Sequence, residues 1–327
     1  MTIDQILTKR HWQKNYAYDL VYEWEDIFKE TLNLPLVNEQ KVIYNRYLKI
    51  IPFISSLFQT NAASLVFEME CIASHWFCNR KSNIIPYIID YYPRANGLYG
   101  YKVFNYLYKK CPIVFISSAE VYEHLLSLED IIKVKIEHVA LSLSDKYFLD
   151  ENAKFNKQYD LVLFGRQSPV LMAFLDKYKT KHPDFLYVYN KRINGRLLYY
   201  TSNGELLDNI NTREKYLNLM KKARCTFYTT PGIDSEKETY GFNQITPRFL
   251  EMLSCGCHII ARYVNNADSR FYQISDFCQS VDNYEQFEEQ LNYARCNDVD
   301  IPKCAKYLKK HYTSERAKQI NRIISEL

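Results

Sequence analysis

Glycine is scarce in this chain, with 8 residues in 327 against an average share of about 7%. None precedes Gly97, so turns in the first part of the chain must be made without it. A chain this poor in glycine is expected to keep it where the backbone needs a positive φ or approaches another group closely. Six glycines are assigned to such positions: Gly165, Gly195, Gly204, Gly232, Gly241 and Gly256.

Long apolar runs are also missing. No stretch of 18 apolar residues occurs, which argues against a membrane-spanning helix. The segment 42–58, VIYNRYLKIIPFISSLF, is the most apolar stretch, but it contains Arg46 and Lys49. We expect a core helix interrupted at Pro52, and a membrane-surface patch is the alternative reading.

Strong charge and ordered cysteine spacing are absent as well. The net charge of +4 fits an anionic small molecule or an anionic membrane surface and is too small to indicate nucleic acid. The nine cysteines are odd in number, and no signal-peptide pattern precedes them, so reduced thiols in a cytosol are expected. Cys255-Gly-Cys257 has no neighbouring Cys or His cluster, and no metal site is expected there.

Strands alternate with helices along most of the chain, which predicts parallel, doubly wound α/β sheets. Predicted strands are 17–23, 65–70, 83–91, 111–118, 133–141, 159–165, 185–190, 225–229, 258–261 and 278–281. Predicted helices are 97–110, 119–128, 169–181, 211–222, 283–295, 302–311 and 314–327. The polar linker 155–158 divides the chain into predicted domains 1–154 and 155–327, with ligands expected at the carboxyl ends of the strands. The last helix is counted in the second domain, and its packing back across the first domain is left open.

The segment 240–263, YGFNQITPRFLEMLSCGCHIIARY, carries the most functional information. Thr246 is the expected N-cap of a short helix, with Pro247 at the first helical position and Gly256 at the end. Free N–H groups at such a helix start suit a phosphate. Arg248 and Glu251 share one face with Cys255, so the cation could bind a diphosphate and the carboxylate a ribose. The alternative is an ordinary αβ unit with an exposed Arg–Glu pair.

The pattern resembles the GT-B glycosyltransferases, and within them the retaining family-four-like and CgeB-like groups. Arg248-Phe-Leu-Glu251 with Cys255-Gly256 looks like the R-x-F-E-A-x-A-C-G signature, and Phe164-Gly165-Arg166 looks like the strand-end Gly-Arg that reaches donor phosphates. His138-Val-Ala-Leu-Ser142 resembles the end of the N-terminal domain, and Tyr312-Thr-Ser-Glu-Arg316 resembles the final helix. The likeness runs from about residue 83 to the end of the chain.

The resemblance implies two Rossmann-like domains facing across a cleft, with the acceptor on the N-terminal side and the nucleotide sugar on the C-terminal side. The expected donor-binding residues are Gly165, Arg166, Asn243, Gln244, Ile245, Thr246, Arg248 and Glu251; the expected catalytic residues are His75, Asp90, Arg166 and Arg248. His75 and Asp90 are candidates from the sequence itself, and a structural role is the alternative for both. Two positions depart from the family pattern. Asn243 stands where a second glutamate is common, and Leu171 stands where a lysine is common.

The expected activity is transfer of a sugar from a UDP- or GDP-linked donor to a glycan or lipid-linked glycan in bacterial surface polysaccharide synthesis, with retention of configuration. The alternatives are a GT-B sugar-nucleotide epimerase and a non-catalytic nucleotide-sugar-binding protein. No metal or other cofactor is expected, because Asp298-Val-Asp300 lies between two predicted helices and suits a turn or cap. The expected location is the cytoplasm, with weak peripheral contact of the first domain at the inner face of the membrane and no nucleic-acid partner.

Overall fold

A computed structural model describes residues 1–14, 18–39, 62–70, 83–94, 100–165, 167–194, 196–234 and 239–327, without the side chains of residues 208 and 209. The chain divides into two units, one formed by Met1–Asp145 with Tyr312–Leu327 and the other by Lys146–His311. The expected boundary at residues 154 and 155 lies later in the chain than the division between Asp145 and Lys146. The last helix belongs to the first unit, as the expected packing back across the first domain requires, and not to the range 155–327 in which it was counted.

Twelve strands and ten α-helices are named below within the described residues. The strands are β1 (Thr2–Thr8), β2 (Leu36–Asn38), β3 (Ala62–Glu70), β4 (Ile84–Asp90), β5 (Val114–Ile116), β6 (Ile136–His138), β7 (Tyr159–Val162), β8 (Tyr187–Ile193), β9 (Arg196–Thr201), β10 (Leu206–Asn209), β11 (Ala223–Thr229) and β12 (His258–Arg262). The helices are α1 (Asp19–Leu32), α2 (Tyr101–Tyr108), α3 (Ala119–Leu126), α4 (Pro169–Lys181), α5 (Arg213–Lys221), α6 (Arg248–Ser254), α7 (Ala267–Phe271), α8 (Tyr284–Cys296), α9 (Ile301–Leu308) and α10 (Thr313–Ser325).

The first unit contains a parallel sheet with the strand order β2-β1-β3-β4-β5-β6. Strands β3 and β4 are buried along most of their length, as expected for parallel strands covered on both faces. Helix α1 covers one face with Trp24 and Phe28, and Phe28 meets Phe67 of β3 edge to face at 5.1 Å. Aromatic and branched side chains thus form the core between α1 and the sheet.

Helix α10 completes the core of the first unit. Ala317, Ile320 and Ile324 are buried in the same cluster as Trp24 and Phe28. The N-terminal end of α10 is fixed by a hydrogen bond of 2.9 Å from the Thr313 N–H to the Leu143 carbonyl. The last residues of the chain are therefore part of the first unit's hydrophobic core.

The second unit contains a mixed sheet with the order β10-β9-β8-β7-β11-β12. Strands β8, β7, β11 and β12 are parallel, while β9 runs antiparallel to both of its neighbours. Helices α4 and α8 contribute Leu175 and Phe287 to a core that also contains Phe227 of β11. Strands β7 and β11 lie in the middle of this sheet, and the expected site residue Gly165 follows β7.

Several sequence expectations fail in local structure. Strands β1 and β2 were not expected, and the expected strand 278–281 forms only a single bridge, between Ala261 and Ser280. Residues 17–23 were expected as a strand, but the segment starts α1, where Val21, Trp24 and Phe28 recur at helical spacing and are buried together. The expectations also omit β9 and β10, although Asn194-Gly195 is a typical two-residue hairpin turn and Asn194 has φ +50°. The segment 42–58 lies outside the described residues.

The scarce glycines occupy the expected conformations. Five of the six assigned residues have φ between +59° and +91°, and the sixth, Gly195, lies outside the described residues. Gly256 ends α6: the Cys257 N–H donates to the Met252 carbonyl at 3.0 Å and the Gly256 N–H to the Leu253 carbonyl at 3.1 Å. This is the Schellman arrangement, which satisfies carbonyls at a helix end.

Candidate functional site

The second sheet has a switch in its strand order between β7 and β11. After β7 the chain builds β8 on one side, and it later enters β11 on the other side. Ligands of open α/β sheets bind at such a switch, outside the carboxyl ends of the strands. Phe164 and Gly165 follow β7 at this edge, and Thr230 follows β11. Gly165, which is expected in the donor site, therefore lies at the switch point of this sheet.

Arg248 lies directly against the backbone of Gly165. Its Nη1 donates to the Phe164 carbonyl at 3.3 Å. A Cβ on Gly165 would lie 3.0 Å from Arg248 Cζ and closer still to Nη2, and φ is +63°. Glycine is therefore required at this position for both conformation and space. Arg248 is half-buried and forms no ion pair with any residue that the structure describes.

Glu251 does not pair with Arg248. Its Oε1 lies 2.6 Å from Nη2 of Arg213, on α5, and both side chains are largely buried. The exposed Arg248–Glu251 pair considered from the sequence is therefore wrong, because each side chain has a different neighbour. The Arg213 guanidinium also lies 5.7 Å from the ring centroid of Tyr147. Sequence reasoning missed Arg213, since no local spacing links it to Glu251.

The loop before α6 is held by its own side chains. Asn243 accepts a hydrogen bond from Thr230 Oγ1 at 3.0 Å and donates to the Gly241 carbonyl at 2.8 Å. Gln244 and Ile245 are almost fully buried. Asn243 thus ties the loop to the end of β11, and a donor contact through its amide stays a prediction.

Helix α6 begins one residue later than expected. Pro247 occupies the cap position in a helical conformation and Arg248 is the first helical residue, so Thr246 is not the N-cap. The Thr246 N–H instead donates to the Tyr228 hydroxyl at 2.9 Å. The helix has only seven residues, and this N–H already has a partner. The case for phosphate binding therefore depends on Arg248 rather than on the helix terminus. Cys255, expected on the same face, is buried in the core.

The two aspartates of Asp298-Val-Asp300 have structural surroundings. Asp300 caps α9, accepting from the Lys303 N–H at 2.9 Å, which confirms the capping interpretation. Asp298 is exposed, 3.9 Å from Arg224. Within the described ranges, no group of three His, Cys, Asp or Glu side chains is placed to hold a metal ion. Independence from metals remains an expectation.

The first sheet has its own switch point, between β1 and β3, and charged residues are buried there. Lys9, directly after β1, lies 2.5 Å from Glu68 of β3, and both are almost fully buried. Burial lowers the pKa of Lys9, but the attraction of Glu68 and Glu39 outweighs it and the net shift is upward. A buried ion pair at a ligand-binding edge is a common sign of function. Sequence reasoning missed this group entirely.

Two further glutamates belong to this cluster. Burial raises the pKa of Glu25 to about 7, although hydrogen bonds from Thr8 and Arg10 act to lower it. Burial also raises the pKa of Glu39 to about 7, against the attraction of Lys9. Glu39 Oε2 is buried and has no hydrogen-bond partner among the described residues. Lys9, Glu25, Glu39 and Glu68 together form what we call the buried carboxylate cluster.

Asp90, expected as a catalytic residue, ends β4 at the same edge of the first sheet. It pairs in register with Glu70 at the end of β3. Burial, and then the charge of Glu70, raise the pKa of Asp90 to about 6, within the range of a general acid or base. His75 and Arg166, the other expected catalytic residues, lie outside the described residues.

Comparison with known proteins identifies the fold. No protein-family model matches the chain, and no curated protein matches it significantly in sequence. Two solved structures match with a TM-score of 0.50: the GtfA/B complex, at 10% identity, and the pneumococcal O-GlcNAc transferase GtfA in complex with UDP and GlcNAc, at 11%. Each match covers 85% of this chain and 60% or 59% of the other, so the chain spans about three-fifths of their length.

The chain has the GT-B fold. Its two α/β sheets, each with a switch in strand order, agree with that assignment. A UDP-GlcNAc 2-epimerase from Methanocaldococcus jannaschii also matches, at 12% identity over the full length of both chains, but its TM-score of 0.49 carries no functional argument. No helix in the described parts of this GT-B chain is long and apolar enough to cross a membrane.

Proposed function

We propose that this chain is a glycosyltransferase that uses a UDP- or GDP-linked sugar and transfers it to a glycan or lipid-linked glycan of a cell-surface polysaccharide. One observation carries the proposal: Arg248, without a carboxylate partner among the described residues, lies over Gly165 at the switch point of the second sheet. In support, the pneumococcal structure with the same fold was solved with UDP and GlcNAc. The proposed location is the inner face of the cytoplasmic membrane.

The chemistry follows from where charge develops. The bond between the anomeric carbon and the phosphate oxygen breaks, and its electron pair stays on the leaving nucleotide diphosphate. Arg248 stabilises that negative charge, and it does so more as the bond lengthens, which lowers the barrier. The acceptor oxygen forms the new bond to the anomeric carbon, and its hydroxyl proton passes to the phosphate oxygen of the leaving nucleotide diphosphate. Retention of configuration and independence from metal ions belong to this proposal.

Glu251 is proposed to bind the ribose hydroxyls through the carboxylate oxygen that does not pair with Arg213. Arg213 holds Oε1 at 2.6 Å, so Oε2 is the oxygen proposed for the ribose. Replacing Glu251 by Gln then has two effects, because it weakens both a ribose contact and a largely buried ion pair. The double variant Glu251→Gln/Arg213→Gln separates them. We expect it to regain stability but not nucleotide affinity.

An epimerase is the second candidate. The observation that favours it is the buried carboxylate cluster with Asp90, because epimerisation needs acid and base groups whose pKa values lie near neutrality. An epimerase would isomerise the donor sugar without an acceptor. A non-catalytic protein would bind the nucleotide sugar and leave it unchanged.

A panel of UDP- and GDP-sugars, each incubated with and without glycan acceptors, tests the three functions together. Nucleotide release that depends on an acceptor, with the sugar recovered on that acceptor, supports the transferase. An isomerised sugar without acceptor supports the epimerase, and thermal stabilisation by a donor without any product supports the binding protein. The anomeric configuration of the product, read by NMR, tests retention, and activity after EDTA treatment tests metal independence.

A further inference from the structure

The hairpin of β8 and β9 extends beyond β7, while β10 lies beside β9 only as far as Leu198, the register partner of Lys191. The last register pair between β7 and β8 is Val162 with Val188, and β8 continues five residues further to Ile193. At about 3.3 Å per residue, the hairpin projects about 16 Å past that pair. Because β8 is parallel to β7, it projects at the same sheet edge that carries Gly165 and Arg248.

The described residues at the end of the hairpin combine three cations with one apolar side chain. Lys191, Arg192 and Arg196 are exposed, and 41% of Ile193 is exposed. These four residues are called the hairpin tip. The three cations form no ion pair within the described part of the chain. Elsewhere in the same unit the exposed Lys309 pairs with Glu151 at 2.8 Å, so counter-ions for exposed lysines do occur there.

Tyrosines lie directly behind the hairpin tip on one face of the strands. Tyr189 and Tyr200 are register partners and stack with ring centroids 6.0 Å apart. The Lys191 ammonium lies 5.2 Å from the centroid of Tyr189. Leu206, the register partner of Tyr200 on β10, is 54% exposed and extends this face. An apolar end, surrounding cations and a tyrosine layer are what a protein surface presents to the boundary between lipid headgroups and acyl chains.

We propose that the hairpin tip docks on an anionic lipid bilayer, with Ile193 entering the headgroup region and the three cations binding lipid phosphates. The phosphates of a nucleic acid would also bind the three cations, but they would make no apolar contact with Ile193. This surface belongs to the second unit, and the sequence-based expectation of contact through the first domain stays a separate prediction. Docking at this tip turns the edge with Gly165 and Arg248 towards the membrane. The role of this orientation rests on the proposed function, because it would bring the proposed donor site close to a lipid-linked acceptor.

Vesicle flotation of the full chain tests the surface without donor or acceptor, so its result is independent of the proposed activity. Phosphatidylcholine vesicles with and without phosphatidylglycerol are compared at low and high salt. The parent should float only with anionic vesicles at low salt. The variant Lys191→Gln/Arg192→Gln/Arg196→Gln should lose on the order of 100-fold in partition coefficient, at about fivefold per cation.

A matched variant separates the tip from overall charge. Lys154→Gln/Arg270→Gln/Lys306→Gln removes three other exposed cations of the same unit, so both triple variants have a net charge of 4 − 3 = +1. The proposal is overturned if the hairpin-tip variant floats as well as the parent. It is also overturned if the matched variant loses as much flotation as the hairpin-tip variant.

Ile193→Ser tests bilayer contact against attraction to any polyanion. Removing the apolar side chain should reduce flotation about tenfold and leave binding to soluble polyphosphate unchanged. Flotation of Ile193→Ser equal to that of the parent would show a polyanion-binding surface and overturn bilayer docking. Circular dichroism and thermal midpoints close to those of the parent confirm that the variants are folded, as expected for exposed residues at a turn.

Discussion

The two sheets carry charge differently at their switch points. In the second sheet, the half-buried Arg248 lies over a glycine backbone and has no carboxylate partner among the described residues. In the first sheet, the buried Lys9 and the half-buried Arg10 are outnumbered by Glu25, Glu39 and Glu68. One edge has an uncompensated cation, whereas the other has more carboxylates than its two cations can neutralise.

This difference separates anion binding from proton binding. A fixed cation with room beside it stabilises a negative group that arrives or develops there. A buried cluster with surplus carboxylates cannot keep all of them ionised, so some hold protons near neutral pH. The four predictions below test the comparison, in order of decreasing expected effect.

The largest effect is expected from Lys9→Met. Removing the cation leaves Glu68 buried without its partner, and breaking a buried pair in this way costs about 3–5 kcal/mol of unfolding free energy. Urea unfolding measures it, with Lys29→Met as the exposed control. The double variant Lys9→Met/Glu68→Gln should recover much of the loss. A loss below about 1 kcal/mol for Lys9→Met would contradict a buried pair.

Glu39→Gln should change the pH dependence of stability. The pKa of Glu39 is raised from 4.5 to about 7 in the fold, so ionising it there is unfavourable, and the fold loses stability as the pH rises from about 4.5 to 7. Gln cannot ionise. The variant should therefore be more stable than the parent at pH 8, by on the order of 3 kcal/mol, and similar at pH 4.

Urea titrations of the parent and Glu39→Gln at both pH values measure this difference. Glu30→Gln, which removes an exposed carboxylate of α1, is the control and should show little change between the two pH values. A Glu39→Gln difference that is the same at pH 4 and pH 8 would remove the proton-binding half of the comparison.

Arg248→Ala should weaken nucleotide binding. Loss of charge-assisted hydrogen bonds to a diphosphate corresponds to about 1.5–3 kcal/mol, or roughly 10- to 150-fold in the Kd for the accepted nucleotide. Turnover should fall as well, because the cation also serves the leaving group. Calorimetry with UDP and GDP measures binding, and Arg270→Ala, at an exposed position, is the control. Parent-like binding in Arg248→Ala would refute the donor-site assignment.

Gly165→Ala should have the smallest effect on stability and still reduce binding. The left-handed conformation costs a residue with a side chain about 1–2 kcal/mol, and the new Cβ displaces the Arg248 guanidinium. Gly204→Ala is a matched control: φ is +87°, but an added Cβ meets no atom within 4 Å. Both variants should lose stability, and only Gly165→Ala should lose nucleotide affinity. Equal nucleotide affinity in the two variants would show that the position of the Arg248 guanidinium does not depend on Gly165.

The sequence predicted the parts of the fold that depend on local pattern. The buried strands β4 and β11 and helix α4 follow from apolar runs and capping residues, and Pro169–Lys181 has the expected bounds. The donor-site candidates Gly165 and Arg248 were found because glycine is scarce and the Arg248–Glu251 spacing resembles a family motif. Their contact across 83 residues was not foreseen, but both were expected at one phosphate site.

The rest depends on contacts that no local pattern shows. Arg213 reaches Glu251 from another helix, and Lys9 reaches Glu68 from another strand. Glu39 follows a three-residue strand, and only the topology of the sheet brings it to Lys9. The hairpin of β8 and β9 is different, because Asn194-Gly195 between alternating residues was a readable signal that the analysis of apolar runs did not use.

The place of α10 has a consequence for synthesis of the chain. The second unit is complete once His311 has been made, whereas the first unit still lacks Ala317, Ile320 and Ile324 of its core. During translation, all residues of the second unit are therefore made before those of the first unit are complete. Nascent chains arrested beyond residue 311, with enough further linker to clear the ribosome, should hold a protease-resistant second unit beside a protease-sensitive first one, which reverses the usual N-to-C order of domain folding.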